Sequence, residues 1–142
     1  TINTLVQKLL DENETLGIRY YAATTLAKRN LEINQVIPVL LSMIDKNKFG
    51  SNVTNCLKTL GSKAIPGLIN VLEKHNNYNV RLSAVTILSD IGTNSHDVVE
   101  ALIKALKDEN KDVQHKAGIA LEKLDNIAID AFVKMYPLPP VS

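Results

Sequence analysis

Apolar residues recur along this chain at i, i+3, i+4 and i+7, the spacing of one helix face and not the alternation of a strand. Two such lines interleave. The A line reads INTLVQKLL from Ile2, IPVLLSMID from Ile37, IPGLINVLE from Ile65 and VEALIKALK from Val99. The B line reads IRYYAATTLAKRN from Ile18, FGSNVTNCLKTLG from Phe49, VRLSAVTILSDIG from Val80 and VQHKAGIALEKLD from Val113. Successive B lines start 31, 31 and 33 residues apart. A fixed period in this range marks stacked supersecondary units, each burying its apolar face against its neighbour. A fifth A line, IDAFVKMY from Ile129, lacks a B partner.

The punctuation between lines has helical meaning. Gly61 and Gly92 close their B lines where a left-handed residue is needed. Ser62, Ser95, Asn34 and Asn126 stand where N-caps are expected. Pro38 and Pro66 are expected in opening turns, where a missing amide donor costs least. The connections DENETLG, DKNK, KHNNYN and DENKD are short and polar. The expected architecture is all-α: one solenoid over residues 1–136, with repeats at 1–30, 34–61, 64–92 and 95–125, and a half repeat at 127–136. Residues 137–142 form a Pro-rich tail, read as a loose end or linker ahead of a polyproline ligand.

Composition narrows the function classes. With 142 residues the chain can bury a stable core without covalent staples. No run of apolar residues is long enough to span a bilayer. A single cysteine, Cys56, forms no internal disulfide; its B-line offset carries Thr25, Ile87 and Ala120 elsewhere, so it reads as a small buried residue. A cytoplasmic location is the expectation. Aromatic residues make up 4% with no Trp, which removes the usual stacking platforms, and 16 basic residues balance 15 acidic ones. Lys58, Lys116 and Lys123 are interrupted by Glu122 and Asp90 and make no one-signed phosphate track, so nucleic acid is a disfavoured partner.

The B line V-R-x-x-A-x-x-x-L-x-x-I-G, preceded by I-P-x-L-I-x-x-L and an acidic turn, resembles a HEAT repeat, and in particular the short class associated with phycobilisome lyases. Ile65, Pro66, Leu68, Ile69 and Leu72, then Val80, Arg81, Ala84, Leu88, Ile91 and Gly92 carry the resemblance. Gly50 and Gln114 stand where the arginine is expected, and Asn3 and Glu100 replace the proline. The resemblance implies a right-handed superhelix of about four and a half helix pairs, with B helices lining the concave surface. It also implies that Arg19 and Arg81 tie adjacent repeats together. The unpartnered last A line leads to the expectation that the array belongs to a longer protein.

On a concave face made by B helices, offsets 2, 6 and 9 point outward, opposite the apolar positions. They hold Tyr20, Thr24 and Ala27; Ser51, Asn55 and Lys58; Leu82, Thr86 and Ser89; His115, Ile119 and Glu122, flanked by Tyr21, Asn52, Asp90, Lys116 and Lys123. The candidate site is a partner-binding ridge of Tyr20, Thr24, Asn52, Asn55, Lys58, Leu82, Thr86, His115, Lys116 and Ile119. Tyr20, Leu82 and Ile119 are its expected apolar anchors. Some short HEAT-like relatives handle bilins, and one group is a metal-dependent hydroxylase with paired His-Glu motifs. Here His75, His96 and His115 are followed by Asn, Asp and Lys, so no such pair occurs. The expected function is a non-catalytic scaffold for a protein partner, with no cofactor and no metal. A bilin lyase-like chaperone and a DNA-binding HEAT-like protein are the alternatives.

Overall fold

The computed structural model describes residues 1–44, 50–91, 95–137 and 139, and only the backbone at 125–128 and 130–132. The described residues form eight α-helices: α1 (Ile2–Leu10), α2 (Leu16–Lys28), α3 (Ile33–Ile44), α4 (Gly50–Leu60), α5 (Ile65–Lys74), α6 (Tyr78–Ile91), α7 (His96–Ala105) and α8 (Lys111–Met135). No strand occurs among them. The odd-numbered helices carry the A lines and the even-numbered ones the B lines. Contacts α1–α3, α3–α5 and α5–α7 build one layer, and α2–α4, α4–α6 and α6–α8 build the other. That two-layer stack of helix pairs is an α-solenoid.

Burial follows the pattern from which the helices were read. Leu26, Leu57 and Leu88 share one B-line offset, and Leu40, Leu68 and Leu102 share one A-line position; all six have no accessible surface. Each such leucine contributes roughly 1.5–3 kcal/mol. Because equivalent leucines lie in successive repeats, the core runs the length of the stack.

Several helix ends are as expected. Ser95 caps α7, its Oγ accepting from the Asp97 amide at 3.2 Å. Pro66 lies in the first turn of α5. Gly61 adopts φ +55°, where a side chain would be strained. The end of α2 solves the same problem with Asn30, also at φ 55°. The Asn30 amide donates to the Ala27 carbonyl and the Leu31 amide to the Leu26 carbonyl, a Schellman pair that satisfies two terminal carbonyls.

Other ends differ. Ser62 caps nothing, because residues 61–64 form a 3-10 turn that runs directly into α5. Asn34 lies inside the first turn of α3; the Glu32 carbonyl accepts from Val36 there, with Glu32 itself at φ 52°. Pro38 is mid-helix, since α3 opens a turn earlier than its A line suggests. The separate half repeat is not formed. α8 runs unbroken over 25 residues, through Asn126, because no glycine or left-handed asparagine follows the fourth B line. Gly92 and most of the Pro-rich tail lie outside the described residues.

The second position of the B line carries a polar side chain in three of the four B helices, as Arg19, Arg81 and Gln114, with Gly50 in the other. Arg81 is buried, at 5% exposure, and bonds both to its own repeat and to the next. Its Nη1 donates to the carbonyls of His75 and Asn76 at the end of α5, while Nε and Nη2 grip Asp108 beyond α7. That is the inter-repeat tie expected of it. Arg19 behaves differently: its Nε donates to the Leu9 carbonyl, which ties α2 to α1 within one pair. Gln114, in the same position on α8, donates to the Asp108 carbonyl. An intra-pair bond thus survives replacement of arginine by glutamine, since either side chain can donate to a carbonyl at the end of the A helix or in the turn beyond it.

Candidate functional site

The described residues place ten candidate ridge positions on the B-helix layer, but not as one uniform surface. Asn52, Asn55 and Lys58 on α4 are exposed, as are His115 and Ile119 on α8. Tyr20 and Leu82 are half-buried and pack against the core, so only Ile119 of the three expected anchors is open. Lys116 is half-buried. Ala27 is buried at 1% exposure, and the Ser89 hydroxyl is buried without a hydrogen-bond partner among the described residues. Both therefore leave the outward ridge. Thr24 and Thr86 turn their hydroxyls back onto their own helix, donating to the carbonyls of Tyr20 and Leu82 at 3.0 and 3.1 Å. This local bond, common for helical threonine, occupies both hydroxyl donors.

Four of these residues converge. Tyr20 and Thr24 on α2, with Asn52 and Asn55 on α4, line a cavity of about 540 Å³ between the two helices. Its other lining includes Lys28 at the end of α2, Cys56 on α4 and Lys63 in the 3-10 turn. Lys58, Leu82, Thr86, His115, Lys116 and Ile119 do not reach it. Lys28 and Lys63 fall outside the outward offsets of a single B helix, so the B-line pattern does not reveal them. They enter because the cavity runs along both helices as far as their C-terminal ends, where Lys28 closes α2 and the turn after α4 carries Lys63. The left-handed Asn30, which also lines the cavity, is the sequence signal for the turn after α2.

Burial sets the chemistry of the two titratable groups on its wall. It pushes the Tyr20 phenol above its ordinary value, with the neighbouring Cys56 adding to the shift. It likewise pushes the Cys56 thiol up, and the nearby Lys28 ammonium only partly offsets this. Cys56 is thus held as a neutral thiol, not an activated nucleophile.

A second concavity, of about 330 Å³, lies between α5 and α7 on the opposite layer and carries Glu73, Asp97 and Glu100 beside Lys104. The histidines are dispersed: His75 ends α5, His96 opens α7, and His115 is on α8. The His75 Nδ1 accepts from the Asn77 amide at 3.1 Å, which fixes the ring in its turn. Among the described residues, no three His, Cys, Asp or Glu side chains gather as a set that could hold a metal ion. No helix among them is long and apolar enough to cross a membrane.

No curated protein matches the chain. Among solved structures, that of human deoxyhypusine hydroxylase in complex with glycerol is similar, with a TM-score of 0.58 and 22% sequence identity. The match covers 99% of this chain and 47% of the hydroxylase chain, so this chain spans about half of that structure. At such identity the likeness is one of fold. The family of HEAT repeats matches residues 65–141, more than half of the sequence, and takes in the Ile65–Gly92 repeat and everything that follows it. The chain belongs to the HEAT-repeat family.

Proposed function

We propose that this chain is a non-catalytic scaffold that holds a segment of a protein partner against its B-helix face. The observation that carries the reading is the α2–α4 cavity, where Tyr20, Thr24, Asn52 and Asn55 converge. At about 540 Å³ it falls inside the roughly 300–1,000 Å³ typical of ligand pockets. Its lining mixes an aromatic ring, aliphatic stems and amide groups, which suits peptide better than a purely apolar ligand. Ile119 and His115, exposed further along the same layer, extend the face towards α8.

The test is a pull-down, with and without nuclease, using the whole chain and an Asn52→Ala/Asn55→Ala/Ile119→Ser variant. These positions are exposed, so far-ultraviolet circular dichroism should be unchanged. A protein retained by the wild type and lost by the variant supports the reading. Equal retention by both moves the interface to the other layer, and retention abolished by nuclease turns the reading towards nucleic acid.

A further inference from the structure

The α2–α4 cavity has a charge character that the chain as a whole lacks. Lysines and arginines nearly balance acids overall, 16 against 15. Yet among the described residues the cavity lining contains Lys28 and Lys63 and no carboxylate. Two other concavities differ: the α5–α7 groove holds three acids, and the one beside Arg81 holds Glu73, Asp108 and Glu109.

Neither lysine is paired with a described residue. Among the described residues the ion pairs are Lys8–Glu14 and those of Arg81 with Asp108 and Glu109, so Lys28 and Lys63 have no acidic partner. A cation in the last turn of a helix can serve the terminal carbonyls. At α2 those of Leu26 and Ala27 are already taken by the Leu31 and Asn30 amides, which leaves the Lys28 ammonium free to face a ligand. The side-chain amides of Asn52 and Asn55 make no hydrogen bond to described residues either. The cavity therefore offers unengaged donors of both kinds, charged and neutral, around the half-buried stems of Tyr20, Cys56 and Leu60.

We infer that this cavity receives an aspartate or glutamate side chain of the partner segment, flanked by an apolar residue, with Lys28 and Lys63 pairing the carboxylate. The assignment rests on the protein-binding reading and narrows it to one chemistry. Two ammonium groups and two amide donors can satisfy both oxygens of a carboxylate. The apolar neighbour covers Tyr20 and Leu60 and excludes water from the ion pairs, which strengthens them. A basic segment would bring like charges together in the same space, and the cavity rejects it.

The experiment pans a displayed library of random dodecapeptides on the whole chain and on a Lys28→Glu/Lys63→Glu variant. Both lysines are exposed, so the variant should fold; Lys63→Glu alone is a milder second variant. Cys56, the only cysteine in the sequence, lines the cavity and reports occupancy through its rate of alkylation. The expected result is enrichment of peptides with Asp or Glu beside Leu, Ile or Phe on the wild type. Those peptides slow Cys56 alkylation and bind the charge-reversed variant roughly ten-fold more weakly or worse. Enriched peptides that are neutral or basic, that bind both proteins alike, or that leave Cys56 unprotected overturn the acid pocket while leaving the protein-binding reading in place. Equal protection of Cys56 by inorganic phosphate alone would replace the acidic peptide with a phosphate source. No enrichment on any face overturns both readings.

Discussion

Arg81 and Asp108, 27 residues apart in sequence, form a two-point ion pair, with Nε and Nη2 each 3.0 Å from one carboxylate oxygen. Both side chains are nearly out of solvent, at 7% and 10% exposure. The pair joins the start of α6 to the turn after α7, so it fastens one repeat to the next. Glu109, at 3.7 Å but 87% exposed, adds little. Asp108 also accepts from the Asn110 amide at 2.9 Å, as Asp11 does from Asn13 in the first repeat. The two DEN turns thus have one internal geometry, and only the second carries an arginine of the preceding repeat.

Asp108→Ala should therefore be among the costly single substitutions. It strands a buried guanidinium and opens the turn before α8, for which a loss of about 3 kcal/mol is expected. Asp11→Ala removes only the local turn bond and should cost under about 1 kcal/mol. Urea unfolding of the two variants checks the contrast; equal losses would show that the turn, and not the ion pair, carries the energy.

Gly67 marks a close approach of α5 to α3 in the A layer. A Cβ there would meet Ile37 Cδ1 at 2.6 Å, and Ile37 is fully buried. Gly67→Ala gains helix propensity but must displace that methyl, so it should destabilise by about 1–2 kcal/mol. Ile37→Val removes the obstructing atom. The double variant should then be about 1 kcal/mol more stable than the sum of the single effects, a coupling that thermal unfolding of all four proteins would reveal.

The fold was legible because the core repeats: Leu26, Leu57 and Leu88 fill one B-line offset, and a helix period cannot place them on one side by any other secondary structure. Helix ends were less legible. Gly61 declares its left-handed backbone, whereas Glu32 at φ 52° does not, since nothing in glutamate favours that region. The site was half legible. Wheel geometry put Tyr20, Thr24, Asn52 and Asn55 on a common face, and they do share a cavity. It could not foresee that Leu82 packs inward, or that a 3-10 turn brings Lys63 alongside α4.

Asn126 discriminates between a continuous helix and a capped new one. In the interior of α8, asparagine is a poor helix former, so Asn126→Ala should stabilise by up to about 0.5 kcal/mol. At an N-cap the same change would cost about 1 kcal/mol. The sign of the shift in the urea midpoint separates the two.

Ser89 invites a similar test of sign. Its hydroxyl is buried without a partner among the described residues, so the native state carries an unsatisfied polar group. Ser89→Ala should leave stability unchanged or raise it by up to about 1 kcal/mol. It should leave partner binding intact, because the side chain does not face outward. Lost binding at full stability would return Ser89 to the ridge.

Cys56 supplies the pH dependence. Burial raises its thiol pKa, and Lys28 pulls the other way. Only the thiolate is alkylated, so at neutral pH the native protein should react with iodoacetamide more slowly than the urea-unfolded chain, and the native rate should climb at a higher pH. Lys28→Ala removes the opposing charge and should shift that climb higher still. The sign carries through to stability. A thiol raised on folding favours the native state fully below the unfolded thiol pKa, and that preference is lost as pH rises through the folded value. Native stability should accordingly decline on the alkaline side of the ordinary thiol range by more in the wild type than in Cys56→Ala, whose Ala side chain has no proton to lose. A native rate that matches the unfolded one across the whole range would mean that the thiol is open to solvent, and with it the wall of the cavity.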